Sequence, residues 1–96
     1  MANTAWSFKD PDEVLDYGIL WTGPPDRLGS DTILTSIWIQ DPPTGLVIDS
    51  DSHTLTTTIV WLSGGVEGVT YALTNRITTA GGRTMDQTKE LDIASK

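Results

Sequence analysis

Residues 68–93 read "GVTYALTNRITTAGGRTMDQTKELDI". Beyond Gly68 the side chains alternate. Tyr71, Leu73, Asn75 and Ile77 fall on one face, and Ala72, Thr74, Arg76 and Thr78 fall on the other. A period of two is that of a β-strand. Ala80, Gly81 and Gly82 supply the permissive backbone angles of a tight turn. Alternation then resumes in "RTMDQTKELDI". The stretch predicts two antiparallel strands joined as a hairpin.

The same reading extends outward in both directions. Leu15, Tyr17, Ile19 and Trp21 share one face of a strand. "DTILTSIWIQD" places Ile33, Thr35, Ile37 and Ile39 on one side and Leu34, Ser36 and Trp38 on the other. "LVIDS" and "HTLTTTIVWLS" follow, the latter with Leu55, Thr57, Ile59 and Trp61 on one face. Turn-forming runs, "TGPPDRLGSD", "PPTG" and "GGVEG", separate these segments. Short strands at regular spacing without helical periodicity predict an all-β chain. The expected architecture is an immunoglobulin-like antiparallel β-sandwich of about seven strands. A barrel of five or six strands is the alternative. A short helix from Asp12 competes with an extended reading of "DPDEVLD", but it would have to end by Gly18.

In an immunoglobulin-like frame, Tyr71 stands at the start of the strand that carries a corner tyrosine, whose hydroxyl turns back onto an upstream backbone group. Trp38 and Trp61 sit on predicted central strands, and one of them is expected to fill the core. Asn75 is out of keeping with its apolar neighbours. It either finds a local hydrogen-bond partner or is turned outward by a bulge, or it is reserved for a neighbouring subunit. Residues 1–8 lack the strand pattern and read as an N-terminal arm preceding a domain of residues 9–96. In that arm Trp6 and Phe8 are candidate partner contacts. They either fold back on their own domain or anchor into another protein, as tryptophan often does at interfaces.

The composition narrows the function. The chain has 96 residues, of which 38% are hydrophobic, and it contains no cysteine. One domain of modest core follows, with little room for an internal cleft. Disulfides and thiolate metal sites are excluded, which suits a reducing compartment, or assembly there before release. The N-terminus lacks the basic start and apolar stretch of a signal peptide. No apolar run approaches the ~20 residues that cross a bilayer. Six basic and thirteen acidic residues give a net charge of -7, which repels phosphate backbones and argues against nucleic-acid binding.

Candidate chemistry is sparse. His53 is the single histidine. A hydrolytic dyad would need it to activate one of the serines in "DSDSHT"; the alternative is an ordinary turn or strand-start residue. "DSDSH" and "DPDEVLD" cluster carboxylates, yet neither has the glutamate and glycine spacing of a calcium loop. "SGGVEG" and "AGG" are not followed by the lysine and hydroxyl residue of a phosphate loop. No catalytic, cofactor or metal residue is therefore assigned, and the chain is expected not to be an enzyme.

"FKDPDEVLDYGILW", "RLGSDTILTSIW", "VWLSGG" and "TNRITTAGGRTMDQTKELDI" together resemble the phage fibre–tail adaptor proteins, a family of short immunoglobulin-like products of tailed bacteriophages and prophages. The resemblance runs from Phe8 to Ile93. Two departures stand out: a proline pair lengthens the "WTGPPDRLGSD" loop, and "ELDIASK" is more acidic than the family's usual last strand. The resemblance implies a non-enzymatic virion protein joining tail and fibre, present in many copies and partnered by tail, fibre or capsid subunits. A capsid decoration or head–tail connector protein is the alternative. A small carbohydrate- or ligand-binding module using exposed tryptophans is a further one.

Overall fold

The structure, a computed structural model, describes residues 5–23 and 28–96. The described residues form six antiparallel strands and no helix: β1 (Leu15–Leu20), β2 (Ile33–Asp41), β3 (Leu46–His53), β4 (Thr57–Gly64), β5 (Thr70–Thr79) and β6 (Thr84–Asp92). They make two three-stranded sheets, ordered β1-β4-β3 and β2-β5-β6. This is the expected sandwich, with six strands in place of about seven. A short N-terminal segment lies where a further strand would pair. Ala5 and Lys9 form parallel bridges to Glu90 and Ile93. The Trp6 amide donates to the Glu90 carbonyl at 2.9 Å, and the Lys9 amide to that of Asp92 at 2.9 Å.

Local chemistry accounts for the connections. At Asp10-Pro11 the chain turns instead of starting a helix. The Glu13 amide donates to the Asp10 carbonyl at 3.0 Å, and the Asp12 amide to the Asp10 carboxylate at 2.8 Å. This Asx-turn offers the backbone an alternative to a helical turn. The β5–β6 hairpin closes through Gly82, whose φ of 86° is open to glycine at little cost. There the Thr79 amide donates to the Arg83 carbonyl at 2.9 Å.

The core lies between the sheets. Val60 and Leu62 of β4 face Tyr71 and Leu73 of β5, with Leu46, Leu91 and Ile93 closing one end. Ile19, Trp21, Leu28, Ile33 and Ile77 form the other end. The half-buried Trp6 and Trp38 pack against both groups.

Two face assignments differ from the sequence reading. The first concerns β2, whose pairing with β5 slips between Ile33 and Thr35. The extra residue flips every later side chain to the opposite face. Ile33 is buried, but Ile37 and Ile39 emerge 52% and 46% exposed, and Ser36, Trp38 and Gln40 turn inward. The second concerns β4. Thr57, Ile59 and Trp61 do share a face, but it is the outer one. Val60 and Leu62 stand opposite Tyr17 and Leu15 of β1 and fill the core instead.

Candidate interaction surface

Tyr71 begins β5 fully buried. Its hydroxyl donates to the Thr44 carbonyl at 2.9 Å and accepts from the Val66 amide at 3.3 Å. It thus ties the start of β5 to the β2–β3 and β4–β5 loops. Gly45 lies against it with φ at 93°. A Cβ there would come 2.5 Å from the Tyr71 hydroxyl.

Asn75 is not a partner contact, because it is fully buried between the sheets. Its Oδ1 accepts from the Trp21 indole at 3.1 Å and from the Thr58 hydroxyl at 2.7 Å. Its Nδ2 donates to Ser36 Oγ and to the Ile37 carbonyl, both at 2.9 Å. Two donors and two acceptor sites are all matched, which is what makes a buried amide tolerable. The core tryptophan of this network is Trp21, at 0% exposure. Sequence reasoning put Trp21 on one strand face with Leu15, Tyr17 and Ile19 but expected Trp38 or Trp61 to fill the core. Trp38 is half-buried, and Trp61 is turned out by the parity of β4.

The N-terminal aromatic groups divide. The Trp6 ring stacks on Tyr17 with centroids 4.6 Å apart and leans on Trp38 at 5.9 Å. Trp6 is thereby occupied within its own domain, and the boundary drawn at residue 8 cuts through a segment paired with β6. Residues 1–4 lie outside the described residues. Phe8 remains 47% exposed, with the Lys96 ammonium 5.4 Å from its ring centroid.

Lys9 carries a role that no sequence pattern announced. It is buried, and its ammonium donates to the carbonyls of Gly64 at 2.7 Å and Asp10 at 2.9 Å. This ties the N-terminal segment to the end of β4. Burial lowers its pKa from the ordinary value, against the opposing pull of Glu13 and the neighbouring aspartates. Burial also pushes the Tyr17 hydroxyl up to about 12, with the charge of Glu13 adding to the effect.

His53 ends β3 exposed, its Nδ1 2.9 Å from the Thr54 carbonyl. Among the described residues, no three histidine or carboxylate side chains are grouped to hold a metal. The acidic excess is unevenly distributed. Arg76 pairs with Asp86 at 2.8 Å, Arg83 lies 3.6 Å from Asp31, and Lys96 pairs with Glu13 at 2.8 Å. Strands β1, β3 and β4 contain neither lysine nor arginine. Apolar side chains emerge on both outer faces: Leu20, Val47 and Trp61 on the β1-β4-β3 sheet, and Ile37 and Ile39 on the other.

Residues 9–92 match the family described as podophage GP4 fiber-tail adaptor protein gp77, and the chain belongs to that family. A search of curated proteins gives no match. The family is one of phage structural adaptor proteins, so its members act with other tail or fibre proteins in the virion.

Proposed function

We propose that this member of the podophage fiber-tail adaptor family joins tail and fibre by docking a different neighbour on each outer face of its sandwich. One observation carries the reading. Exposed apolar side chains occupy both outer faces, with Trp61 and Leu20 on one sheet and Ile37 and Ile39 on the other. Large apolar side chains left exposed on a small protein are the groups that association covers. Two such faces on opposite sides of a rigid core are what a spacer between two proteins requires. The buried Trp21–Thr58–Asn75 network locks the sheets together, so a load on one face reaches the other without shear.

The role is structural and needs no catalysis. Copies arranged around the symmetric tail add weak contacts through multivalency. The protein is made in the host cytoplasm, joins the particle there, and engages neither nucleic acid nor membrane. The test is a phage carrying a deletion of this gene, examined by electron microscopy. Tailed particles without fibres, restored by the protein supplied in trans, support the adaptor role. Particles that keep their fibres refute it, and loss of head decoration or of head–tail joining instead identifies a capsid or connector protein.

A further inference from the structure

The outer face of the β1-β4-β3 sheet has a definite chemical character. Residues directly opposite in an antiparallel pair share a face and stand within ~5.5 Å at Cβ. Trp61 is flanked by Asp16 of β1 and Ser50 of β3. The next row is Gly18, Ile59 and Ser52, and beyond it lie Leu20 and Thr57. Gly18 is exposed and has no side chain, and Ile59 leans toward it, 3.9 Å from where a Cβ would stand. Trp61 is 42% exposed, although it sits on the middle strand of its sheet.

Charge selects the occupant. Asp16 is the carboxylate opposite Trp61 on this face, Asp51 stands opposite the buried Val60 and so on the other face, and the strands of this sheet contain no lysine or arginine. Asp16 has no basic residue among its cross-strand neighbours. Among the described basic residues, Arg76 and Lys89 belong to the other sheet and Arg83 to its hairpin turn, while Lys9 is held by the Gly64 and Asp10 carbonyls and Lys96 by Glu13. An acidic partner would be repelled here, and an apolar one would strand the Asp16 carboxylate. A guanidinium satisfies both groups, because it stacks on an indole face and presents a planar fork to a carboxylate.

We propose that this face docks an arginine-bearing protein segment. The arginine stem passes over Gly18 and Ile59, its guanidinium lies on the Trp61 indole, and its fork closes on the Asp16 carboxylate. Ser50 and Ser52 line the opposite flank and accept or donate polar contacts at the rim. The inference rests on the adaptor reading for the biological source of that segment, and on the face alone for its chemistry.

The experiment has two arms. In the first, the full chain labelled with nitrogen-15 is titrated with a blocked Gly-Arg-Arg-Gly peptide and followed by NMR. Saturable shifts are expected at the Trp61 indole N–H and at the amides of Asp16, Gly18 and Ser50. They should be weaker with Gly-Lys-Lys-Gly and lost in Asp16→Asn, which changes only an exposed side chain, and in Trp61→Ala, whose otherwise unchanged spectrum is expected to show that the fold is kept. Shifts that persist in Asp16→Asn, that are matched by the lysine peptide, or that fall equally on the acidic residues of β6 overturn the proposal. So does a neutral hexasaccharide that moves the Trp61 signal where the arginine peptide does not.

The second arm supplies wild type and Trp61→Ala in trans to the gene-deleted phage. Fibred particles with wild type but not with Trp61→Ala support the docking face within the adaptor. Equal restoration by both overturns it while leaving the adaptor reading intact. If neither restores fibres but the peptide still binds at Trp61, the adaptor reading fails and the docking face stands.

Discussion

Trp21 and Asn75 are 54 residues apart in the chain, yet the Trp21 indole donates to Asn75 Oδ1 at 3.1 Å across the gap between the two sheets. Thr58 of β4 joins them, accepting from the same indole at 3.1 Å and donating to the same oxygen at 2.7 Å. A polar network of Trp21, Thr58 and Asn75, extended by Ser36, therefore lies between the two sheets. Every one of these groups is satisfied only while both sheets hold their register.

Asn75→Ala should accordingly cost more than an ordinary polar truncation. It takes the acceptor from the buried Thr58 hydroxyl and leaves the Trp21 N–H only Thr58, and an unsatisfied buried group costs ~1–3 kcal/mol. Urea denaturation should show a midpoint far below wild type. Trp21→Phe combined with Asn75→Ala should cost less than the two separately, since both remove the same Trp21–Asn75 hydrogen bond. Strict additivity would show that the network contributes nothing as a unit.

Tyr71→Phe removes the hydroxyl that joins Thr44 to the Val66 amide. A loss of ~1–3 kcal/mol is expected from the buried groups left behind. Gly45→Ala should also be destabilising, because it places a Cβ 2.5 Å from that hydroxyl on a backbone with φ at 93°. The double variant should be less unstable than the sum, since removing the hydroxyl relieves the clash. Equal denaturation midpoints for wild type and Tyr71→Phe would remove the corner from the stability argument.

Removing residues 1–7 should lower the melting temperature. An independent arm would be expected to leave it unchanged, but Trp6 is stacked between Tyr17 and Trp38 and its amide bonds to β6. Replacing a large aromatic side chain in a core by alanine costs ~3–5 kcal/mol, and Trp6→Ala should cost somewhat less because the ring is half-buried. Differential scanning calorimetry of the truncated chain decides the point.

Alkaline pH should expose two opposing titrations. Tyr17 is held neutral in the fold with its pKa raised from 10.0 to about 12. Its contribution is complete below pH 10 and is lost as pH rises through the folded value near 12. Lys9 has a lowered pKa, so the unfolded chain binds its proton more tightly than the fold does. Its contribution therefore improves as pH climbs toward 10.5. The stability difference between wild type and Tyr17→Phe isolates the first effect and should shrink between pH 10 and 12. A difference that is flat across that range contradicts the burial of the hydroxyl.

Much of this protein was legible before any coordinates. Alternation at Leu15–Leu20 and Thr70–Thr79, with glycine and proline between segments, specifies strands and turns because those preferences are local. The hairpin at Ala80–Gly82 and the position of Tyr71 at the head of β5 follow from the same local rules. The side of the sheet on which each residue falls did not follow. The slip after Ile33 turned Ile37 and Ile39 outward, and pairing with β1 turned Trp61 outward. Parity along a strand is written in the sequence, but which parity faces the core is set by the strand across the sheet and by bulges in that pairing. The partners of Asn75 and the burial of Lys9 were hidden for a related reason. Their hydrogen bonds reach 54 and 55 residues along the chain, to Trp21 and Gly64. No periodicity records a contact that exists only once two sheets have closed on each other.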